Sequence, residues 1–311
     1  MNQPRSTSAK LYIQQHHNPF DNLSVEKYLF NHVAPNTPIL YLWRNNPCVV
    51  IGRAQNPWLE CNLSFMDQQN IPMVRRHSGG GTVFHDLNNL NFSFLSPPEF
   101  YDKNSHLTII TNALKMLDIN TIISPRNDLL LPIKGKSYKI SGSAYRESRK
   151  QSLHHGTLLI GGDVELLNQC IHSKELAINA KGVRSVRSEV LTLQHIKPQL
   201  SIEEVINAIS QSFMNLYPNT TTTHLYNSGQ LTQDATEIID ESQRLQSWQW
   251  RFGKTLPFEK QFRLNETDYI VSVKHGMIDS IQPANKHKIR IQPNTAFLND
   301  LQQIKSIATL N

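Results

Sequence analysis

The chain has 311 residues, 39% of them hydrophobic and 18% charged, with a formal net charge of +6. This is the composition of a soluble globular protein long enough for a sizeable core and two domains. No apolar run approaches the roughly 18 residues of a spanning helix, and the first ten residues carry no apolar core for a secretion signal. A membrane partner is therefore not expected, and the expected location is cytoplasmic. The surplus of cations points to nucleic acid, an acidic protein or an anionic small molecule. Nucleic acid is the least supported, because no Lys/Arg block stands out. Cys48, Cys61 and Cys170 are odd in number and widely spaced, which suits a reducing compartment better than a disulfide framework.

In chain order, Val25, Leu29 and Val33 recur at helical spacing before Pro35. Residues 39–43 and 48–51 read as strands around the turn Arg44-Asn45-Asn46-Pro47. Another strand, 73–76, enters a glycine-rich loop. Leu90, Phe92 and Phe94 alternate with Asn91 and Ser93, as in a half-buried strand. Leu107, Ile110, Leu114 and Leu117 form a helical stripe. Short strands follow at 129–131, 139–143 and 157–160. Ser201 and Glu204 make a capping box ahead of Val205, Ile209, Phe213 and Leu216. Residues 218–247 are polar, with a short helix near their end. Trp248-Gln249-Trp250-Arg251-Phe252-Gly253 opens a strand-rich segment ending near 301–307. The order suggests an α+β catalytic domain over 1–245 and a smaller α+β domain over 246–311.

The run Arg75-Arg76-His77-Ser78-Gly79-Gly80-Gly81-Thr82-Val83-Phe84-His85-Asp86 carries the strongest signal. Three consecutive glycines are costly in a core segment unless something approaches the backbone closely. The neighbouring arginines and serine suggest that this something is an anion, held by a guanidinium fork. No Lys-Ser/Thr pair follows, so the loop is not a Walker motif. A bulge between two core strands would also use such glycines.

Three further stretches bear charge. Lys139 sits at the start of a strand beside small residues, placed either to reach a phosphate or to protect a sheet edge. Arg126-Asn127-Asp128 offers oxygens suited to Mg²⁺, although Asn and Asp are equally common in turns. Residues 181–188, with Lys181, Arg184 and Arg187 around Gly182, suit a mobile loop closing over an anion. The adjacent His154 and His155 point to opposite faces of a strand, so they do not readily share a metal ion.

These stretches, with Val50-Ile51-Gly52-Arg53-Ala54-Gln55-Asn56-Pro57-Trp58, resemble the motifs of the lipoate–protein ligase A family. The similarity covers most of residues 11–190, and Trp248 to Gly253 resembles the start of that family's small C-terminal domain. The resemblance implies the biotin/lipoate protein ligase fold, related to class II aminoacyl-tRNA synthetases. It implies that lipoate and Mg·ATP give lipoyl-AMP, whose lipoyl group passes to a lysine of an acyl-carrier domain. The acceptors it implies are the lipoyl domains of 2-oxo acid dehydrogenase complexes and the glycine-cleavage H protein.

Carried onto matching positions, the resemblance makes Lys139 catalytic. It assigns the acid to Arg76, Ser78, Gly79, Gly80, Gly81, His85 and His155. ATP and the adenylate fall to Arg76, Gly81, Thr82, Val83, Phe84, Lys139, Ser141, Gly142, Lys181 and Arg187, and Mg²⁺ to Asn127 and Asp128. Val83, Phe84 and Leu159 are candidates for lining an apolar tunnel. His77 departs from the pattern. Three rivals stay open at this level: a transferase using preformed lipoyl-AMP, a cysteine-dependent acyltransferase using Cys48 or Cys61, and a non-catalytic nucleic-acid binder.

Overall fold

The structure is a computed structural model that describes residues 5, 7–32, 34, 36–171, 178–186, 188–264, 267–283, 289–290 and 295–298. Val33, Pro35, Arg187 and residues 301–307 lie outside the described residues.

Six strands form the main sheet, in the order Ser143–Glu147, Ser152–Leu159, Asn89–Ser96, Ile39–Trp43, Ala9–Gln14, Thr220–Leu225. Alternate residues of a strand face opposite sides of a sheet, and here both sides are covered. Leu11, Leu40, Leu42, Phe92 and Phe94 pack with apolar residues of helices Lys103–Met116 and Ile202–Leu216. Ile39, Tyr41, Trp43 and Leu95 pack with those of helices Pro19–Asn31 and Thr236–Gln246. Asn89–Ser96, expected to be half-buried, is therefore buried along its whole length. Its polar residues Asn91 and Ser93 face an interior site, not solvent.

Local signals explain most of the elements. Asn18 accepts the amides of Phe20 and Asp21, and Pro19 opens the first helix. The Ser201–Glu204 capping box forms as expected. Elements that lay beyond the periodic signals include strands Ala9–Gln14, Val83–His85, Ser143–Glu147 and Thr220–Leu225, and helices Leu63–Gln68 and Val164–Ile171. Thr220–Leu225 is an exposed edge strand pairing in parallel with Ala9–Gln14. Its Thr-rich outer residues give no apolar alternation to read.

The strands Ile39–Trp43 and Cys48–Ile51 match expectation in extent but join different sheets. Cys48–Ile51 is the centre of a three-stranded sheet, between Met73–Arg75 and Val83–His85. A third sheet joins Ile122–Ile123, Leu129–Ile133 and Lys136–Ser141. The strands after residue 257 form a fourth sheet that also takes in Ile178–Ala180. Trp58 packs against Phe258 and Phe297 in its core. No helix among the described residues is long and apolar enough to cross a membrane.

Arg75 fastens the glycine-loop region to the following segment. Its buried guanidinium donates to the carbonyl oxygens of Arg53, Gln55, Trp250 and Arg251 and to Thr255 Oγ1. In return Trp250 Nε1 donates to the Arg75 carbonyl at 2.7 Å, and Arg251 Nε to that of Met73 at 2.9 Å. Burial lowers the Arg75 pKa to about 10, so the group stays charged at neutral pH. Replacing it with methionine would strand these acceptors. Arg75→Met is expected to cost about 3 kcal/mol of stability or more, read from the urea unfolding midpoint; an unchanged midpoint would contradict the role.

Candidate active site

The glycine loop joins the two outer strands of the three-stranded sheet, so it crosses the end of the middle strand beside Gly52. A β-carbon on Gly52 would lie 2.2 Å from the Gly80 carbonyl oxygen, and Gly80 itself has φ +87°. At Gly81 a β-carbon would meet Ser185 Oγ at 3.3 Å, whereas at Gly79 it would meet nothing within 4 Å. Only part of the glycine requirement thus comes from the triplet, and Gly52 carries the tightest constraint.

Arg76 holds this loop from within. Of its five N–H groups, four are engaged: Nε with Ser78 Oγ, and the terminal nitrogens with the carbonyls of Val50, Gly79 and Gly81. Burial lowers its pKa to about 10, with Glu26 partly compensating. Neither arginine is an open fork. Arg75 is wholly engaged with backbone and Thr255, and Arg76 presents one face of a committed guanidinium to the cavity it lines.

Behind the loop runs a buried polar chain. Trp43 Nε1 donates to Ser93 Oγ at 3.0 Å, and Ser93 Oγ donates to Glu26 Oε1 at 2.6 Å. His155 Nδ1 meets the same carboxylate oxygen at 2.7 Å, while its Nε2 meets Ser78 Oγ at 2.7 Å. Burial alone would raise the Glu26 pKa, but His155 and Ser93 outweigh it and hold the carboxyl below its usual range. The chain fixes the His155 ring, which lines a cavity of about 340 Å³. Leu23, Trp43, Val50 and Val83 form the apolar wall of this cavity, with His85 and Asn91 beside them. His154 faces the other way, toward His106 and Ser143.

Lys139 stands at the opposite end, on the strand Lys136–Ser141. Its Nζ lies 2.9 Å from Asp128 Oδ1. A β-carbon on Gly142 would sit 3.1 Å from Lys139 Cε and 3.2 Å from Nζ, so this glycine makes room for the lysine. Arg126, Asp128 and Arg184 line the same end. The turn at 124–128 is held by Ser124 Oγ, which accepts the amides of Arg126 and Asp128, and Asn127 adopts φ +62°.

A second cavity of about 260 Å³ meets the first at Lys139, Gly142, Thr82 and Val83. Its wall adds Phe84, Ser141, Leu59, Leu159, Leu167 and Ile171. Arg184, Ser185, Val186 and Ser188 border both cavities, and Ser185 is latched down. Glu60 accepts the Ser185 amide at 3.2 Å and the Ser185 hydroxyl, and Ser185 Oγ in turn accepts the Thr82 amide at 2.9 Å. Gln55 Nε2 also donates to Ser185 Oγ at 3.0 Å. Lys181 is exposed and borders neither cavity.

The structure thus brings Arg76, Gly80, Gly81, Thr82, Val83, His85, Asp128, Lys139, Gly142 and His155 to one cavity. Phe84 and Ser141 face the second. Ser78 is buried behind the first wall, against His155 and Arg76. Sequence reasoning missed Glu26, Trp43, Asn91 and Glu60. Each sits in an otherwise apolar or helical pattern and gains its meaning from long-range contacts. Among the described residues no group of three or more His, Cys, Asp or Glu side chains could hold a metal. All three cysteines are buried, and burial raises each thiol pKa, that of Cys170 to about 11. None borders either cavity, so a cysteine nucleophile has no place in this site.

The profile of the lipoyl protein ligase A/B catalytic domain matches residues 18–214. A relative in Bdellovibrio bacteriovorus named lipoate-protein ligase A is 37% identical over 88% of this chain and 81% of its own. Among solved structures, P. falciparum LipL1 in complex with lipoate is 26% identical with a TM-score of 0.70, covering 96% of this chain and 89% of that one. A lipoate-protein ligase A bound with ATP is 22% identical with a TM-score of 0.59, covering 77% of this chain and 94% of that one, a likeness of fold. The chain belongs to the lipoyl protein ligase A/B catalytic-domain family.

Proposed function

We infer that this protein is an ATP-dependent lipoate–protein ligase. The observation that carries the reading is a pair of cavities sharing Lys139. The larger has an apolar inner wall suited to an acyl chain. The smaller, walled by Leu59, Leu159, Leu167 and Ile171, suits a purine base. Lys139 lies where the carboxylate of one ligand would meet the α-phosphate of the other.

In the first step a carboxylate oxygen of lipoate bonds to the α-phosphorus while the bond to the bridging oxygen of pyrophosphate breaks. Negative charge rises on the phosphate oxygens, and the Lys139 ammonium is placed to offset it. In the second step the amine of a carrier-domain lysine adds to the acyl carbon. The carbon–oxygen bond to AMP breaks and the nitrogen loses a proton. Lipoyl domains of 2-oxo acid dehydrogenase complexes and the glycine-cleavage H protein are the acceptors proposed.

Asp128 positions Lys139 through their ion pair. Mg²⁺ carried with ATP fits here as well, since such an ion takes one or two carboxylates together with phosphate oxygens. Asp128 and Asn127 are the proposed holders, and the ion would neutralise phosphate charge. Arg76 keeps the glycine loop in shape beneath the acid. The Glu60–Ser185 latch holds residues 181–188 over the junction and excludes water from the mixed anhydride.

Lys139→Ala is expected to lower lipoate-dependent pyrophosphate release by about a thousandfold, with an unchanged thermal midpoint. Release at the wild-type rate would remove the assigned role. Gly142→Ala is expected to displace the ammonium and lower kcat by about ten- to a hundredfold, with little change in KM for lipoate. Unaltered kcat would mean the lysine does not depend on that space. The reaction itself is tested by intact mass of an apo lipoyl domain incubated with lipoate, Mg²⁺ and the enzyme. A lipoyl mass gain only when ATP is present supports a ligase, and a gain only with supplied lipoyl-AMP identifies a transferase.

A further inference from the structure

The inner end of the larger cavity holds two buried hydrogen-bond donors that no described residue accepts from. His85 and Asn91 are 3% and 2% exposed, and both line the cavity. His85 Nε2 and Asn91 Nδ2 have no partner among the described residues. Leaving a buried donor unmade costs its full desolvation penalty, so each such group calls for an acceptor.

For His85 the identity as a donor follows from a chain of contacts. Asn22 Nδ2 meets the carbonyl oxygens of His16 at 3.2 Å and Arg44 at 2.9 Å, so that atom is the amide nitrogen. It also donates to Asn45 Oδ1 at 2.9 Å, which fixes the Asn45 amide orientation. Asn45 Nδ2 then donates to His85 Nδ1 at 3.0 Å. The ring nitrogen that accepts bears no proton, so in the neutral ring Nε2 is the N–H. Burial, then Arg76 and His155, lower the His85 pKa to about 3, which keeps the ring neutral. Asn91 Oδ1 accepts from Asn89 Nδ2 at 3.0 Å, and in this arrangement the Asn91 amide turns Nδ2 toward the cavity.

The two donors flank Trp43. Asn91 is the cross-strand partner of Trp43, and the His85 ring meets the indole edge-on at 5.8 Å. The indole N–H is already spent on Ser93, so Trp43 adds only an apolar face. Leu23, Val50 and Val83 are apolar too. The inner wall therefore offers donors and hydrocarbon, and it suits a chain end that accepts without donating. A saturated alkyl end would leave both N–H groups unpaired. The dithiolane ring of lipoate carries sulfur lone pairs and a polarisable surface that packs well on an aromatic face.

Building on the acyl-pocket reading above, we propose that His85 and Asn91 are specificity determinants: their N–H groups meet the sulfur-bearing end of the acid and select lipoate over octanoate, the same chain without sulfur. His155, fixed by Glu26 and Ser78, sets the adjoining wall and has no donor to spare for this purpose.

The test is the ratio of kcat/KM for lipoate to that for octanoate, measured by ATP-dependent acylation of an apo lipoyl domain. The ratio cancels differences in the fraction of folded enzyme. The wild type is expected to favour lipoate by about tenfold or more, because octanoate would leave the site's polar groups unpaired. Asn91→Leu and His85→Phe should each bring the ratio toward unity, and Asn91→Asp, which keeps the shape and removes the donor, should do the same. A merely structural role would lower both rates and leave the ratio unmoved, which would overturn the proposal. Equal use of the two acids by the wild type would overturn it as well, while leaving the ligase reading intact. Failure of the wild type to activate either acid would remove the acyl-pocket reading and this inference with it.

Discussion

Two buried guanidinium groups hold backbone oxygens in place, and the floor of the site depends on them. A buried charge is tolerated only when its surroundings replace water. Here carbonyl dipoles do most of that work. Arg75 gathers the oxygens of Arg53, Gln55 and Arg251, and Arg76 those of Val50, Gly79 and Gly81. A guanidinium is suited to this because its donors fan out in one plane. The glycine loop is consequently shaped by the side chains that precede it. A ligand would meet an already formed surface and would not have to order it.

The same economy organises the interior beyond the loop. Glu26 is a buried carboxylate whose neighbours are His155, Ser93 and, at longer range, Arg76. It balances the arginine and aligns a histidine through one oxygen. Asn22, Asn45 and His85 repeat the pattern without charge, each amide orienting the next. Connected networks of this kind are rigid, and their unpaired members stand out against them. The positive ends Lys139 and Arg184 gather instead at the junction of the two cavities, with Arg126 lining the first, where an anion would approach.

Much of this was legible in the sequence, because local rules decide it. The extents of Ile39–Trp43 and Cys48–Ile51 and the Ser201 cap follow from short-range pattern. The glycine loop and Lys139 were marked by residue types out of place in a core. The function of Arg75 was not legible. An arginine beside a glycine triplet reads as an anion clamp, and only the fold brings the carbonyls of residues 250 and 251 to it. Asn91 and Ser93 read as a solvent face because strand alternation says which residues share a side, not what covers that side. Glu26 lay in a helix as an ordinary polar residue, and its partner is 129 positions away. Thr220–Leu225 carried no apolar signal, since an edge strand needs none on its outer face.

The latch over the junction shows how these parts couple. Glu60 belongs to the short helix Pro57–Glu60, whose Trp58 packs into the core of the strands after residue 257. The same helix thus touches the C-terminal sheet with one residue and restrains the 181–188 segment with another. Ile178–Ala180, just before that segment, pairs with Phe258–Leu264. The covering segment is therefore fixed to the C-terminal sheet at its start, to Glu60 in its middle, and to Lys139 at its end, where the Lys139 amide donates to the Glu189 carbonyl at 2.9 Å. By this connectivity the segment over the junction is tied both to the C-terminal sheet and to the strand that carries Lys139.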